Sequence, residues 1–127
     1  MSERKAIETV KAPKAVGPYS QAVRAGNMLF ISGQLGIEPS TGKMVEGGAP
    51  AQAKRALENI MAILMEANMN MQNVAQVQVF LMDIGDFAAV NEVYKTFFCT
   101  PYPARAAVQV AALPLGAKVE ILATAMA

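Results

Sequence analysis

Two charged residues stand in runs that otherwise hold small and β-branched side chains: Arg105 in "PARAAVQVA" and Glu120 in "AKVEILATA". Period-two alternation sets Arg105, Ala107, Gln109 and Ala111 against Ala104, Ala106, Val108 and Val110, which predicts a strand with the guanidinium on one face. A guanidinium held by a strand offers a planar fork that matches a carboxylate bidentately, a geometry lysine cannot copy. A glutamate among apolar neighbours is suited to take up and return a proton. The simpler readings are a salt bridge at a strand end for Arg105 and a charge on the solvated face of an edge strand for Glu120. If the two face one cavity, they make an anchor and a proton carrier.

Three further places carry polar groups in positions where ligands bind. In "VGPYSQAV" the backbone is set by Gly17 and Pro18, and a loop delivers Tyr19 and Ser20. In "FISGQ", Ser32 and Gly33 end a strand; glycine there admits a ligand to the backbone N–H groups, or serves only as a bulge or strand terminator. Asn91 lies beside the apolar stripe of a helix, as a ligand contact or as a surface polar residue. Met28, Met61, Met65, Met69 and Met71 read as adaptable filler of core or interface, not as metal ligands. The chain has no histidine, which removes Ser/His/Asp, Cys/His and His-zinc mechanisms.

These groups have to be positioned by a chain of 127 residues, which predicts one domain over 1–127 with a core of its own. A hydrophobic fraction of 54% and a mean hydropathy of +0.28 exceed what a small wetted monomer needs, so a subunit interface is expected to absorb the excess. Eleven basic and ten acidic side chains give a net charge of +1, which argues against nucleic acid and acidic membrane as partners. No apolar run reaches the ~18 residues of a membrane span. A lone Cys99 and the absence of a signal peptide point to a reducing, cytoplasmic compartment.

The segment "RKAIETV" alternates as an edge strand, and "KAPKAVGPYS" is loop. "QAVRAGNMLFISGQ" predicts a hairpin about Ala25, Gly26 and Asn27. "LGIEPSTGKMVEGG" is turn-rich, and Pro50 suits the first turn of a helix. Ala53, Ala56, Leu57, Ile60, Leu64 and Ala67 recur at helical spacing, with Arg55, Glu58, Asn59 and Glu66 on the opposite side. "VAQVQVFLMD" alternates as a strand. Asp86 is placed to cap a second helix with Phe87, Val90, Tyr94 and Phe97 as its stripe, and "ARAAVQVA" and "KVEILATA" are expected to pair with each other. The order βββαβαββ predicts an α+β layer pair, a mixed β-sheet with two helices packed on one face. Val77, Val79 and Val108 then suggest an apolar bare face that another copy of the chain would cover.

In colinear order, "GPYSQAV", "GNMLFISGQ", "ALENIMAIL", "VQVFLMDIGDFAAVNEVY" and "PARAAVQVAALPLGAKVEI" resemble the Rid (YjgF) family of reactive-intermediate imine deaminases. The resemblance runs from about Ala12 to Glu120, most of the chain. It implies a chorismate-mutase-like subunit, a homotrimer with three inter-subunit clefts, and hydrolysis of 2-imino acids such as 2-iminobutanoate and 2-iminopropanoate to 2-keto acids and ammonia, with no cofactor and no metal. By the same resemblance Arg105 binds the substrate carboxylate, Tyr19 and Ser32 line the cleft, and Gly33 and Ala107 offer backbone contacts. Asn91 adds a polar wall and Glu120 handles the water. The sequence departs from the family's usual residues at Ala106, Ala107 and Leu122, and "ANMNMQNV" lacks the usual glycine turn after the first helix. Two other classes fit parts of the pattern: a non-catalytic trimer that binds small acids for regulation, and an RNA-acting protein, which the charge balance and missing histidine disfavour.

Overall fold

A computed structural model describes residues 3–127. The chain forms β1 (Arg4–Ile7), β2 (Ala22–Ala25), β3 (Met28–Gln34), a small hairpin of β4 (Ile37–Glu38) and β5 (Lys43–Met44), α1 (Gly48–Glu66), β6 (Val74–Leu81), α2 (Phe87–Lys95), β7 (Ala104–Gln109) and β8 (Val119–Met126). The predicted β2–β3 hairpin is present: Ala25 pairs with Met28 across a two-residue loop in which Gly26 supplies φ +61°. β4 and β5 are additional, a tight hairpin within the turn-rich segment.

Six strands form one sheet in the order β1-β2-β3-β8-β6-β7. Among the described residues only β6 and β7 run parallel. The expected pairing of β7 with β8 does not occur, because β6 lies between them. α2 crosses over the sheet and returns the chain parallel to β6, so β7 takes one side of β6 and becomes an edge. β8 then fills the other side and satisfies both its own edges, antiparallel to β6 and to β3.

Alternation decides the layers. Val77, Val79 and Leu81 of β6 and Val119, Ile121, Ala123 and Ala125 of β8 are buried in one cluster with Leu57, Ile60 and Leu64 of α1 and Val90 and Tyr94 of α2. Both helices therefore cover the same sheet face. Val77 and Val79 belong to this covered face, contrary to expectation; the bare face carries Val108 and Phe30, 44% and 47% exposed, with Phe80, Leu122 and Thr124 half-buried beside them. Among the described residues no helix is long and apolar enough to cross a membrane.

Two local expectations are corrected. Asn59 is fully buried, since its Nδ2 donates to the carbonyls of Leu35 (3.2 Å) and Ile37 (3.0 Å) and its Oδ1 accepts from Arg55 Nε (3.1 Å), stapling α1 to the β4 segment. Asp86 sits at the start of α2 without a side-chain cap; Asp83 Oδ1 instead accepts the Gly85 N–H at 2.8 Å in the preceding 3-10 turn. After α1 the left-handed residue that terminates a helix is Asn68, at φ +59°, in place of a glycine.

Candidate functional site

The candidate groups fall into two sets. The first gathers where β3 breaks step with β8. Ile31 pairs with Ala123 and Gln34 with Ile121, so Ser32 and Gly33 together face the single Leu122. This is a β-bulge, which re-aims the strand's side chains. A Cβ on Gly33 would stand 2.8 Å from Glu120 Cδ and closer still to Oε2, so the Glu120 carboxylate lies directly on the glycine Cα, and only glycine permits it. Burial pushes the Glu120 carboxyl above its ordinary value of 4.5.

The bulge also anchors the loop that leads into β2. Ser32 N–H donates to the Gln21 carbonyl at 2.9 Å, and Ser32 Oγ donates to the Ser20 carbonyl at 2.6 Å. Tyr19, one residue earlier and 52% exposed, is thereby held next to the bulge. Gln21 is the hidden organiser. Buried, it donates from Nε2 to the carbonyls of Thr9, Ala12 and Pro13 and accepts the Thr9 N–H on Oε1, so one amide fixes the loop's course from β1. A glutamine at the entry to a strand gave no distinct signal in the sequence.

The second set lies on β7 and α2. Arg105 Nη1 donates to Asn91 Oδ1 at 2.7 Å, and its Cζ stands 5.2 Å from the Phe87 ring centroid and 4.7 Å from that of Tyr94. A depression of about 370 Å³ opens beside it, lined by Asn91, Tyr94, Lys95, Tyr102, Pro103 and Arg105. Arg105 makes no ion pair among the described residues, so the salt-bridge reading fails in the isolated chain. Burial raises the Tyr94 phenol, and the Arg105 charge partly opposes this. Ala107 packs its side chain against the core on the same face. The sequence marked Phe87 and Tyr94 as stripe residues only; their spacing of four and three about Asn91 was the available signal for a shared role.

One chain does not bring Arg105 and Glu120 together. Arg105 pairs with Val77, on the helix-covered face, whereas Glu120 pairs with Phe80, on the bare face. Two strand spacings sideways and three residues along separate their Cα atoms by roughly 14 Å, with side chains on opposite faces. The single cavity considered for the two residues is therefore absent within one chain. Tyr19, Ser32, Gly33 and Glu120 make one candidate half-site; Asn91, Arg105 and Ala107 make the other.

Residues 9–127 match the family model described as Endoribonuclease L-PSP. The chain is 53% identical to the mouse protein named 2-iminobutanoate/2-iminopropanoate deaminase over 123 residues, 97% of this chain and 91% of the relative. Among solved structures, RidA from the Antarctic bacterium Psychrobacter superposes with a TM-score of 0.94 at 50% identity, covering 97% of this chain and 99% of the other. E. coli TdcF with bound serine gives 0.92 at 45% identity, covering 97% and 98%. With the family model covering nearly its whole length, and with these relatives, the chain belongs to the Endoribonuclease L-PSP family, the Rid family.

Proposed function

We propose that this protein is a 2-iminobutanoate/2-iminopropanoate deaminase that hydrolyses small 2-imino acids in clefts shared between copies of the chain. The observation that carries the reading is the Arg105 guanidinium, held by Asn91, without an ion-pair partner among the described residues and open to a depression large enough for a small acid. The activity for which the relatives are named supplies the substrate class, and the serine bound to TdcF supports a small carboxylate-bearing occupant.

Completion of the cleft follows from the two half-sites. Because they lie on opposite sheet faces, one two-fold contact does not cover both. A head-to-tail contact, in which the Arg105 edge of one copy meets the Gly33–Glu120 face of the next, covers both and makes a ring where its rotation closes. The family resemblance implies a ring of three. The bare face with Phe30, Phe80, Val108 and Leu122 supplies apolar surface for that contact.

In the cleft, Arg105 takes the carboxylate on its fork, fixing the adjacent C=N carbon. Glu120 of the neighbouring copy accepts a proton from water as oxygen adds to the carbon of the protonated imine, giving a neutral carbinolamine. The same carboxyl then returns that proton to nitrogen, and as the C–N bond breaks the carboxylate takes up the hydroxyl proton, leaving the 2-keto acid and ammonia; it passes that proton on to ammonia or water and is ready again. A raised carboxyl affinity for protons suits this exchange, because base and acid forms are then closer in population at neutral pH. Tyr19 closes the mouth of the cleft, and the Gly33 and Ala107 backbones line it.

The test generates 2-iminopropanoate in situ with an amino-acid oxidase in the presence of semicarbazide. The expected result is diversion of the imine from the trap to the 2-keto acid, with light scattering giving the trimer mass. Keto-acid binding without diversion would support the regulatory trimer instead. The family description makes RNA cleavage a third arm, for which a net charge of +1 supplies little phosphate attraction.

A further inference from the structure

We infer that Phe87 and Tyr94 are positioning residues that bracket the Arg105 guanidinium and, with Asn91, hold its fork ready for a carboxylate. This rests on the reading of Arg105 as the carboxylate anchor and adds how that anchor is kept in place. Arg105 stands on β7, the edge of the sheet, so no further strand flanks its side chain. A long cation in that position would sample many rotamers and would lose that freedom on binding. α2 removes the freedom in advance. Phe87, Asn91 and Tyr94 occupy positions i, i+4 and i+7 of its nine residues, one face of the helix, and all three reach the guanidinium.

The chemistry of the bracket is specific. A carboxylate partner would pin the guanidinium by occupying the fork that the substrate needs. An aromatic ring attracts the cation through its π electrons and needs no conventional hydrogen bond from the fork. Asn91 accepts one N–H of Nη1, out of the five that the guanidinium carries, so the other four stay available. Tyr94 is itself well packed: only 4% exposed, it lies against Phe98 with centroids 4.6 Å apart and the rings tilted by 35°. Its hydroxyl is buried without a partner among the described residues, so the ring, not the hydroxyl, does the holding.

The experiment compares Phe87→Leu, Tyr94→Leu, Tyr94→Phe and Arg105→Lys with the parent protein. Three quantities are read: the 15N relaxation order parameter of Arg105 Nε–H, the Kd for 2-oxobutanoate, and KM against kcat for the imine. Each Leu variant is expected to lower the Arg105 order parameter and to raise Kd and KM by about two- to fivefold, with kcat changed less. Tyr94→Phe keeps the ring and should match the parent in all three. Phe87, half-buried at the start of α2, provides the second variant where Tyr94→Leu does not fold. Folded Leu variants with unchanged Arg105 relaxation and unchanged Kd overturn the bracket, as does loss of turnover in Tyr94→Phe. Arg105→Lys with parental keto-acid affinity would instead overturn the anchor reading, an outcome the Leu variants do not mimic.

Discussion

Arg105→Lys and Glu120→Gln should each be nearly inactive alone, yet mixing them in one assembly should restore activity. Arg105 and Glu120 lie on opposite faces of one chain, so the proposed cleft would take Arg105 from one copy and Glu120 from the next. An intact cleft forms wherever a Glu120→Gln chain presents its Arg105 to an Arg105→Lys chain that retains Glu120. In a ring of three, either mixed composition has one such junction among its three. Trimers purified through a different tag on each variant should therefore show about one third of parental turnover. Unsorted random assembly, in which the two required chain types meet with probability one half times one half, should show about one quarter. The parent variants set a low background, since removing a general base typically costs about 10²–10⁴-fold. The assay is semicarbazide-trapped imine hydrolysis on co-expressed, doubly purified protein. Doubly tagged trimers that stay at the level of the two parents would refute the shared cleft.

Other consequences follow from single contacts. Gly33→Ala places a methyl where the Glu120 carboxylate sits, and because that group ends a flexible side chain it will swing away. Turnover should fall by about 10²-fold or more while the melting temperature changes little. Glu120→Gln should behave oppositely in stability. Burial raises the folded-state carboxyl, so the wild type is favoured below about 4.5 and loses that contribution as pH rises through the raised value. Calorimetry should show Glu120→Gln melting higher than wild type at neutral pH, the gap closing at pH 4 and below; a constant gap would exclude titration as its cause. The wild-type kcat/KM should decline on the acidic side at a pH above the ordinary 4.5 of a glutamate, and Glu120→Gln should lack that limb. Asn59→Ala leaves the Leu35 and Ile37 carbonyls without their donor and should cost about 1–3 kcal/mol in denaturant unfolding.

Local pattern was enough to find most of the elements. Alternation around Arg105 gave its strand, the Gly26 turn gave the β2–β3 hairpin, and period-3.6 stripes gave both helices, because each depends on neighbours in the chain. The chemistry-bearing residues were legible for a related reason: a charge inside a small apolar run stands out by type alone. Long-range pairing was not legible. β7 and β8 read as natural partners from their nearness in sequence, and only the α2 crossover, with β8 needing a partner on each edge, puts β6 between them. That insertion decides which face each residue takes, so Arg105 and Glu120 end up back to back. Asn59 looked solvated because its type is polar, whereas the chain folded the Leu35 and Ile37 carbonyls over it. The sequence by itself determined which groups could bind and move a proton. Tertiary structure decided that no single chain holds them together, because side-chain direction in a sheet is set by register, and register is set by partners far away in sequence.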